Sequence, residues 1–232
     1  MLASNAQSAI AVWRPQGFGD RRARDIIDPI VEPLWTGPRI LAFANGSDVR
    51  LIDADGEDID GFDAISDALA AAAGGATVLI EAYLTAEPIQ KPSTIAGRDS
   101  VTMPTPAKAL SQMIVGSRGD RKDRAQAQLE EAHMRTLEGT VHDVALVAVD
   151  LLWLDDESLT DVPLLERKRI LESVLAESDL IRVGIHVRPP IDTWLGSWRL
   201  FGFRRVAYKA ANSRYVPGEK SPEWAIAEIP AR

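Results

Sequence analysis

The chain has no cysteine among its 232 residues, and this absence removes several kinds of chemistry at once. Without thiols there is no disulfide framework, no thiolate nucleophile and no zinc site built on cysteine. Histidine is scarce, and the spacing of His133, His142 and His186 does not match that of metal ligands. We therefore predict no metal site, and an ordinary satisfied or exposed histidine at each of the three positions.

Long apolar runs are also absent. No stretch reaches the roughly 18 apolar residues that span a bilayer, and the N-terminus lacks an apolar core of the signal-peptide type. We therefore expect no membrane partner and a cytoplasmic location.

Positively charged residues are also few, because 26 Lys and Arg against 34 Asp and Glu give a net charge of −8. This balance argues against a protein that coats nucleic acid non-specifically, and it leaves room only for a local basic patch.

The most informative stretch is the apolar run at residues 144–154, which is rich in valine and leucine. Its composition and the acidic turn after it favour a buried strand. Asp150 lies in the middle of this run, and a carboxylate there needs a hydrogen-bond partner or a cation because its desolvation is costly otherwise. The next segment predicts a helix with Asp161 as N-cap, Pro163 in the first turn and an apolar face over residues 164–175.

Two segments are expected to lie outside the regular core. Residues 1–27 are predicted to form a loosely held arm, in which residues 17–19, a Gly-x-Gly without a preceding strand, are interpreted as a plain loop. Residues 88–140 combine several prolines with nearly balanced charges, which favours an insertion that is either a solvated helix or a partner-binding segment. The remaining patterns predict a hairpin over residues 40–53, a helix over 62–73, strands over 77–85, 181–187 and 203–210, and a turn and helix over 189–198.

Residues 149–167 resemble the middle of the adenylation domain of ATP-dependent DNA ligases. That family commonly has Phe-Asp-Leu-Leu, a short turn and Leu-Thr-Asp-Leu-Pro-Leu-x-Glu-Arg. Residues 212–224 are similar to the family pattern Asp-Ser-x-Tyr-x-Pro-Gly-x-x-Ser-x-x-Trp. The resemblance implies an α+β nucleotidyltransferase fold over residues 28–232, with antiparallel sheets and flanking helices around a cleft and the insertion at about 88–140. The oligonucleotide-binding (OB-fold) domain that follows in ligases is expected to be absent.

The resemblance also implies that the reactive centre has been lost. Residues 32–39 align without a gap with the ligase motif Glu-Pro-Lys-x-Asp-Gly-x-Arg. Leu34 stands at the lysine that becomes covalently linked to AMP, and Thr36 stands at the following aspartate. Because leucine has no nucleophilic atom, the covalent pathway is not expected.

Charged groups have changed at the other motifs as well. Arg204 and Arg205 replace a metal-holding glutamate and a glycine, whereas Arg39 and Lys209 agree with the family. Glu81 matches the family's ribose- or metal-contacting glutamate only with a one-residue slip, so a surface glutamate is favoured there. Two triphosphate-binding lysines are replaced by Ile226 and Glu228.

These exchanges predict an anion site rather than a magnesium site. Guanidinium groups form charge-assisted bonds to phosphate or carboxylate, so a nucleotide or a DNA phosphate is the expected ligand at Arg39, Glu81, Arg204, Arg205 and Lys209. The alternative, in which Arg204 and Arg205 pair with acidic residues of the chain, is equally favoured.

The resulting hypothesis is a ligase-like pseudoenzyme, a non-catalytic binding or scaffold protein in DNA repair or a related nucleic-acid process. One alternative is an active ATP-dependent ligase or nucleotidyltransferase with Lys209 as nucleophile. Another is a nucleotide sensor. No cofactor is assigned with certainty, ATP is retained as a candidate ligand, and the partner is a nucleotide, DNA or a protein that binds the 88–140 insertion.

Overall fold

The computed structural model describes residues 3–86 and 144–230, with side chains from Ser8 onward. The predicted insertion at 88–140 falls almost entirely outside these ranges. The described helices are α1 (Ala3–Val12), α2 (Asp63–Ala73), α3 (Leu164–Val174) and α4 (Asp192–Leu200), with a 3-10 turn at Ala23–Asp25. The strands are β1 (Gly17–Phe18), β2 (Pro29–Pro33), β3 (Arg39–Asn45), β4 (Asp48–Ile52), β5 (Val78–Thr85), β6 (Ala145–Leu154), β7 (Glu157–Ser158), β8 (Ile181–Val183), β9 (Arg205–Ala210), β10 (Lys220–Ser221) and β11 (Trp224–Glu228). None of the described helices is both long and apolar enough to cross a membrane.

Two mainly antiparallel sheets carry the fold. The central sheet has the strand order β4-β3-β5-β6-β7, and β8 adds to β6 in parallel. The second sheet has the order β11-β9-β2, with both pairings antiparallel. A separate two-residue ladder joins β1 to β10 in parallel. The predicted α+β architecture with antiparallel sheets and flanking helices is therefore confirmed.

The main core lies between one face of the central sheet and helices α2 and α3. Side chains alternate along a strand, so every second residue of β3 and β5 points to this face. In β6 an irregularity in the pairing with β5 shifts the alternation, so that Leu151 follows Leu146 and Ala148 on this face. The cluster joins, among others, Ile40, Ala42, Ile65, Leu69, Ile80, Leu146, Leu171 and Ile181. The opposite face of the central sheet carries the charged residues of the candidate site.

Most predicted elements are present, and two of their boundaries differ for identifiable reasons. Helix α3 begins after Pro163, without a side-chain cap from Asp161. Its first amide groups instead donate to backbone carbonyls of the loop after β9, from Leu164 to Ser213 O (3.0 Å) and from Leu165 to Ala211 O (2.9 Å). Tertiary contacts therefore replace the local cap.

The strand predicted over residues 181–187 also ends early, at Val183. Beyond that point the chain leaves the central sheet, and Val187 exchanges two backbone hydrogen bonds with Val31 of β2, each of 2.8 Å. This segment therefore links the two sheets and does not extend one of them.

The expectation of a loosely held arm is wrong for the described side chains of the N-terminal segment. Ile10 of α1 is fully buried and packs with Leu41 and Phe43 of the central sheet. The amide of Gln16 donates to the hydroxyl of Tyr215 over 2.9 Å, and the Gln16 side chain is buried. This part of the segment is anchored to the domain, while the domain limits themselves stay predictions.

Asp150 lies on β6, in the centre of the central sheet, and it has the cationic partner that its burial requires. Its carboxylate receives two hydrogen bonds from Arg167 of α3, from Nε to Oδ1 (2.9 Å) and from Nη2 to Oδ2 (2.7 Å). Both side chains are 0% exposed. Burial alone would lower the pKa of Arg167, but Asp150 outweighs that effect and raises it. The pair fastens α3 to the sheet.

We predict that Asp150→Ala destabilises the domain by about 3–5 kcal/mol, because it leaves the Arg167 guanidinium buried without a counter-charge. The matched control is Asp155→Ala, which removes one exposed hydrogen bond from the Thr77 amide and should cost about 1–2 kcal/mol. Thermal and urea unfolding of both variants measure the difference. Equal melting temperatures for the two variants would contradict the proposed role of the pair.

Candidate functional site

A group of buried charged side chains lies where the two sheets face each other. Glu32 comes from β2, Lys209 from β9, Arg39 from β3 and Glu81 from β5, and helix α3 contributes Lys168. All of them except Arg39 are less than 5% exposed as residues, so each needs a partner inside the protein.

Glu32 is the hub of this group because it binds two lysines. Its Oε2 accepts a hydrogen bond of 2.7 Å from Lys168 Nζ, and its Oε1 is bonded to Lys209 Nζ. Burial alone would raise the pKa of Glu32, but the two ammonium groups outweigh it and lower the pKa to about 2. Lys168 Nζ also donates to Val149 O of the central sheet over 2.7 Å, so Glu32 ties the second sheet to the first through α3.

Lys209 is enclosed by aromatic rings as well as by Glu32. Its Nζ lies 4.3 Å from the centre of the Trp224 ring and 5.8 Å from that of Phe18, both suitable for cation–π attraction. Burial lowers the pKa of Lys209, and Glu32 opposes this effect. The ammonium group therefore has a carboxylate on one side and ring faces on others.

Arg39 and Glu81 form the second ion pair of the site. Glu81 Oε1 accepts hydrogen bonds from Arg39 Nε (2.7 Å) and Nη2 (2.5 Å), and Glu81 Oε2 accepts one from the Tyr215 hydroxyl (2.5 Å). Burial and the neighbouring Glu81 raise the pKa of Tyr215. The expectation of a surface glutamate is wrong: Glu81 is fully buried, because β5 lies between β3 and β6 in the centre of the sheet.

The loop between β2 and β3 carries the residues that align with the ligase nucleophile motif. The Leu34 side chain packs against Tyr83, Val147 and Val149, and its amide donates to Arg205 O over 3.0 Å. Gly37 has a φ of 101°, and a Cβ there would lie 2.0 Å from the carbonyl oxygen of Leu84, so only glycine fits. The loop therefore still requires a glycine at position 37, and the side chain at its centre, Leu34, is apolar.

The structure brings together only some of the predicted site residues. Arg39, Glu81 and Lys209 share one neighbourhood, since the guanidinium of Arg39 and the Nζ of Lys209 both lie near the rings of Phe18 and Trp224. Arg205 begins β9, roughly 13 Å along the strand from Lys209, and both Arg204 and Arg205 are exposed. Neither forms an ion pair with any residue that the structure describes. Pairing with described acidic residues therefore does not account for these two arginines.

The carboxylates of the site do not suit a divalent cation. Glu32, Glu81 and Asp150 are each bonded to lysine or arginine, and Arg204 stands where the resemblance places a metal-holding glutamate. In the described ranges, no three His, Asp or Glu side chains are arranged to hold a metal ion. His186 lies 3.6 Å from Glu172, and burial lowers its pKa to about 4, while the other two histidines fall outside the described residues.

Sequence reasoning did not identify Lys168, Glu32, Phe18, Trp224 and Tyr215 as site residues. Glu32 and Lys168 are 136 positions apart, and Tyr215 and Glu81 are 134 apart, so no local spacing relates them. The sequence feature that could have identified Glu32 is electrostatic. A carboxylate next to an apolar segment is expected to be buried and therefore to need a cationic partner. The resemblance marked the position of Trp224 but gave it no role.

No protein-family model and no curated protein matches the sequence, so the comparison rests on solved structures. The ligase domain of LigD from M. tuberculosis is 20% identical with a TM-score of 0.59, over 93% of this chain and 59% of that protein. A mycobacterial DNA ligase D complexed with ATP and MES is 19% identical with a TM-score of 0.57, over 91% and 58%. A Lig E DNA ligase is 12% identical with a TM-score of 0.54, over 94% and 69%.

At these identities the likeness concerns the fold alone. The chain has the fold of the nucleotidyltransferase (adenylation) domain of DNA ligases, and the resemblance seen in its sequence is confirmed at that level. It spans somewhat under three fifths of the length of the two LigD structures.

We predict that Glu32→Gln destabilises the domain by about 3–5 kcal/mol at neutral pH, because two buried ammonium groups lose their shared counter-charge. The pKa of Glu32 is lowered from 4.5 to about 2 on folding, so its contribution is present above pH 4.5 and is lost as the pH falls towards 2. Unfolding free energy measured against pH should therefore have a shallower acid limb in the variant than in the wild type. Glu228→Gln, an exposed position on β11, serves as control. Parallel acid limbs for Glu32→Gln and the wild type would contradict the assignment.

Proposed function

We propose that the protein is a ligase-like pseudoenzyme, a domain that does not form a covalent nucleotide intermediate and that acts as a binding or scaffold protein in DNA repair or related nucleic-acid processing. One observation carries the first half of this proposal. The lysines beside the altered motif, Lys168 and Lys209, are both committed to the buried carboxylate of Glu32. An amine held in this way is not free to attack a phosphate.

The environment of Leu34 supports the same conclusion. Covalent nucleotidyl transfer needs an unprotonated amine that attacks the α-phosphate, and the side chain at this position is an alkyl group packed against Tyr83, Val147 and Val149. Stabilisation of phosphate charge also needs cations directed into the cleft. Arg39 and Lys209 instead neutralise Glu81 and Glu32.

One observation favours the alternative of an active nucleotidyltransferase. Burial lowers the pKa of Lys209, and a lowered pKa is one route to a nucleophilic lysine. Against this, Lys209 is only 2% exposed, and its Nζ is bonded to Glu32 and lies against the Trp224 ring. Attack would require loss of this ion pair and movement of the amine.

Incubation of the pure protein with α-labelled ATP and Mg²⁺ should give no labelled band on a denaturing gel, because no free lysine occupies the reactive position. Leu34→Lys alone should not restore nick joining, since Thr36, Arg204, Ile226 and Glu228 also differ from the ligase pattern. Lys209→Arg is the control that separates the two hypotheses. A labelled band in the wild type that disappears in Lys209→Arg would establish the active alternative and overturn the pseudoenzyme proposal.

The second half of the proposal, a binding role, is supported by the exposed arginines at the start of β9. Arg204 and Arg205 have no acidic partner among the described residues, and guanidinium groups bind phosphate through charge-assisted hydrogen bonds. Of the structural neighbours, one DNA ligase D is complexed with ATP, and Lig E is described as binding DNA with a minimal scaffold. We therefore propose that a nucleotide or DNA phosphate binds at Arg204 and Arg205, while Arg39, Glu81 and Lys209 shape the cleft from within.

Calorimetric titration at low salt should detect binding of a nicked DNA duplex or ATP in the presence of a chelator, and the affinity should fall as salt rises. Replacement of Arg204 and Arg205 by serine should weaken binding by about tenfold or more, given about 1.5–3 kcal/mol for a hydrogen bond to a charged group. Arg214→Ser, at an exposed position away from β9, is the matched control.

The pattern of binding separates the remaining possibilities. Binding of ATP alone, with no effect of the duplex, would favour a nucleotide sensor over a nucleic-acid scaffold. No heat from either ligand, or binding that requires magnesium, would contradict the anion site and leave a scaffold that binds protein.

A further inference from the structure

The N-terminal segment that follows α1 crosses the candidate site. Residues 14–19, the N-terminal strap, run beside the loop that joins β9 to β11 and are held there mainly through the backbone. Their hydrogen bonds are Gly218 N to Arg14 O (2.8 Å), Gln16 N to the Tyr215 hydroxyl (2.9 Å), Val216 N to Gln16 Oε1 (3.0 Å), Gly17 N to Glu219 O (2.9 Å) and Gly19 N to Trp224 O (3.0 Å).

Phe18 is the strap residue that reaches the charged group. The centre of its ring lies 5.4 Å from Arg39 Cζ, 5.8 Å from Lys209 Nζ and 5.9 Å from the centre of the Trp224 ring. The two cations that the sequence predicted to receive an anion are therefore both in contact range of the same phenyl ring. The face of an aromatic ring attracts a cation although it carries no net charge. Phe18 can therefore cover Arg39 and Lys209 and offset part of the free energy that their removal from water costs.

The C-terminal end of the strap packs closely against β10. A Cβ on Gly19 would lie 2.3 Å from the carbonyl oxygen of Ser221, so glycine lets the strap approach β10 directly. The Tyr215 hydroxyl accepts from the strap amide of Gln16 and donates to Glu81. The strap is thus connected to the Arg39–Glu81 pair through one hydroxyl group.

We propose that the N-terminal strap is an intramolecular cover that closes the cleft over Arg39 and Lys209, with Phe18 as the occluding side chain. Access to these cations from solvent requires the strap to leave β10 and Trp224. The end of the strap that carries Phe18 is the part suited to such movement, because β1 has only two residues and Phe18 is half-buried, whereas Glu81 beneath it lies on the eight-residue central strand β5. Segments with few buried contacts open at lower free energy than a core sheet does.

Amine labelling of the full chain tests this cover without any nucleotide, so its outcome does not depend on whether the protein forms an AMP adduct. The native protein is treated briefly with acetic anhydride, and acetylation at Lys209 and Lys168 is quantified by peptide mass spectrometry. Lys168 shares Glu32 with Lys209 and is equally buried, but the contacts of the Lys168 ammonium are to Glu32 and Val149 and not to Phe18. It therefore reports general loosening of the domain.

Phe18→Ala should raise the acetylation rate of Lys209 by about tenfold with little change at Lys168. Gly19→Ala, whose new methyl group meets Ser221 O and displaces the strap, should act in the same direction and serves if Phe18→Ala does not fold. Val12→Ala, at a 71% exposed position of α1, should change neither lysine. Unchanged labelling of Lys209 in a folded strap variant, or an equal rise at both lysines, would overturn the proposal.

Discussion

The carboxylate of Glu32 is the interaction on which the site depends. It is buried between the sheets and carries two ammonium partners, one from α3 and one from β9. A buried charge of either sign is costly unless it is paired and hydrogen-bonded, so Glu32, Lys168 and Lys209 require one another. The consequence extends beyond stability, because this network holds the second sheet, the helix and the central sheet in a fixed relation. It also uses two lysines that would otherwise be available to a ligand.

The same principle applies to the other charged residues of the cleft face. Arg39 is neutralised by Glu81, and Arg167 by Asp150, so each of these two cations has its anion inside the domain. In an enzyme that transfers nucleotidyl groups, such cations must be directed at the phosphates of a ligand. The internal neutralisation of these cations and the apolar side chain of Leu34 therefore both support the proposal that the domain does not transfer nucleotidyl groups. The cleft face of this domain is organised as a polar core, while Arg204 and Arg205, which have no acidic partner among the described residues, lie at the exposed start of β9.

Local elements could be predicted from the sequence because their signals are local. The valine- and leucine-rich run gave β6, and the glycine that ends α2 adopts the left-handed conformation at its C-cap. The need of Asp150 for a cation followed from desolvation alone, although its partner, 17 positions away, was not identified. The pairing of Glu32 with Lys168 joins residues 136 positions apart and leaves no periodic signal. The N-terminal segment differs from the predicted loose arm because a few buried contacts, such as that of Ile10, are enough to anchor a short helix.

If the domain is a pseudoenzyme, Lys168 and Lys209 stay bound to Glu32 whether or not a nucleotide is present. NMR of protein labelled with ¹⁵N-lysine tests it directly, with the two ammonium signals assigned through Lys→Arg variants. Two slowly exchanging ammonium groups are expected at neutral pH, and their chemical shifts should not change when ATP and Mg²⁺ are added in excess. Rapid exchange of either group with solvent, or a shift of the Lys209 signal on addition of ATP, would show that the amine is free to meet a nucleotide and would contradict the pseudoenzyme proposal.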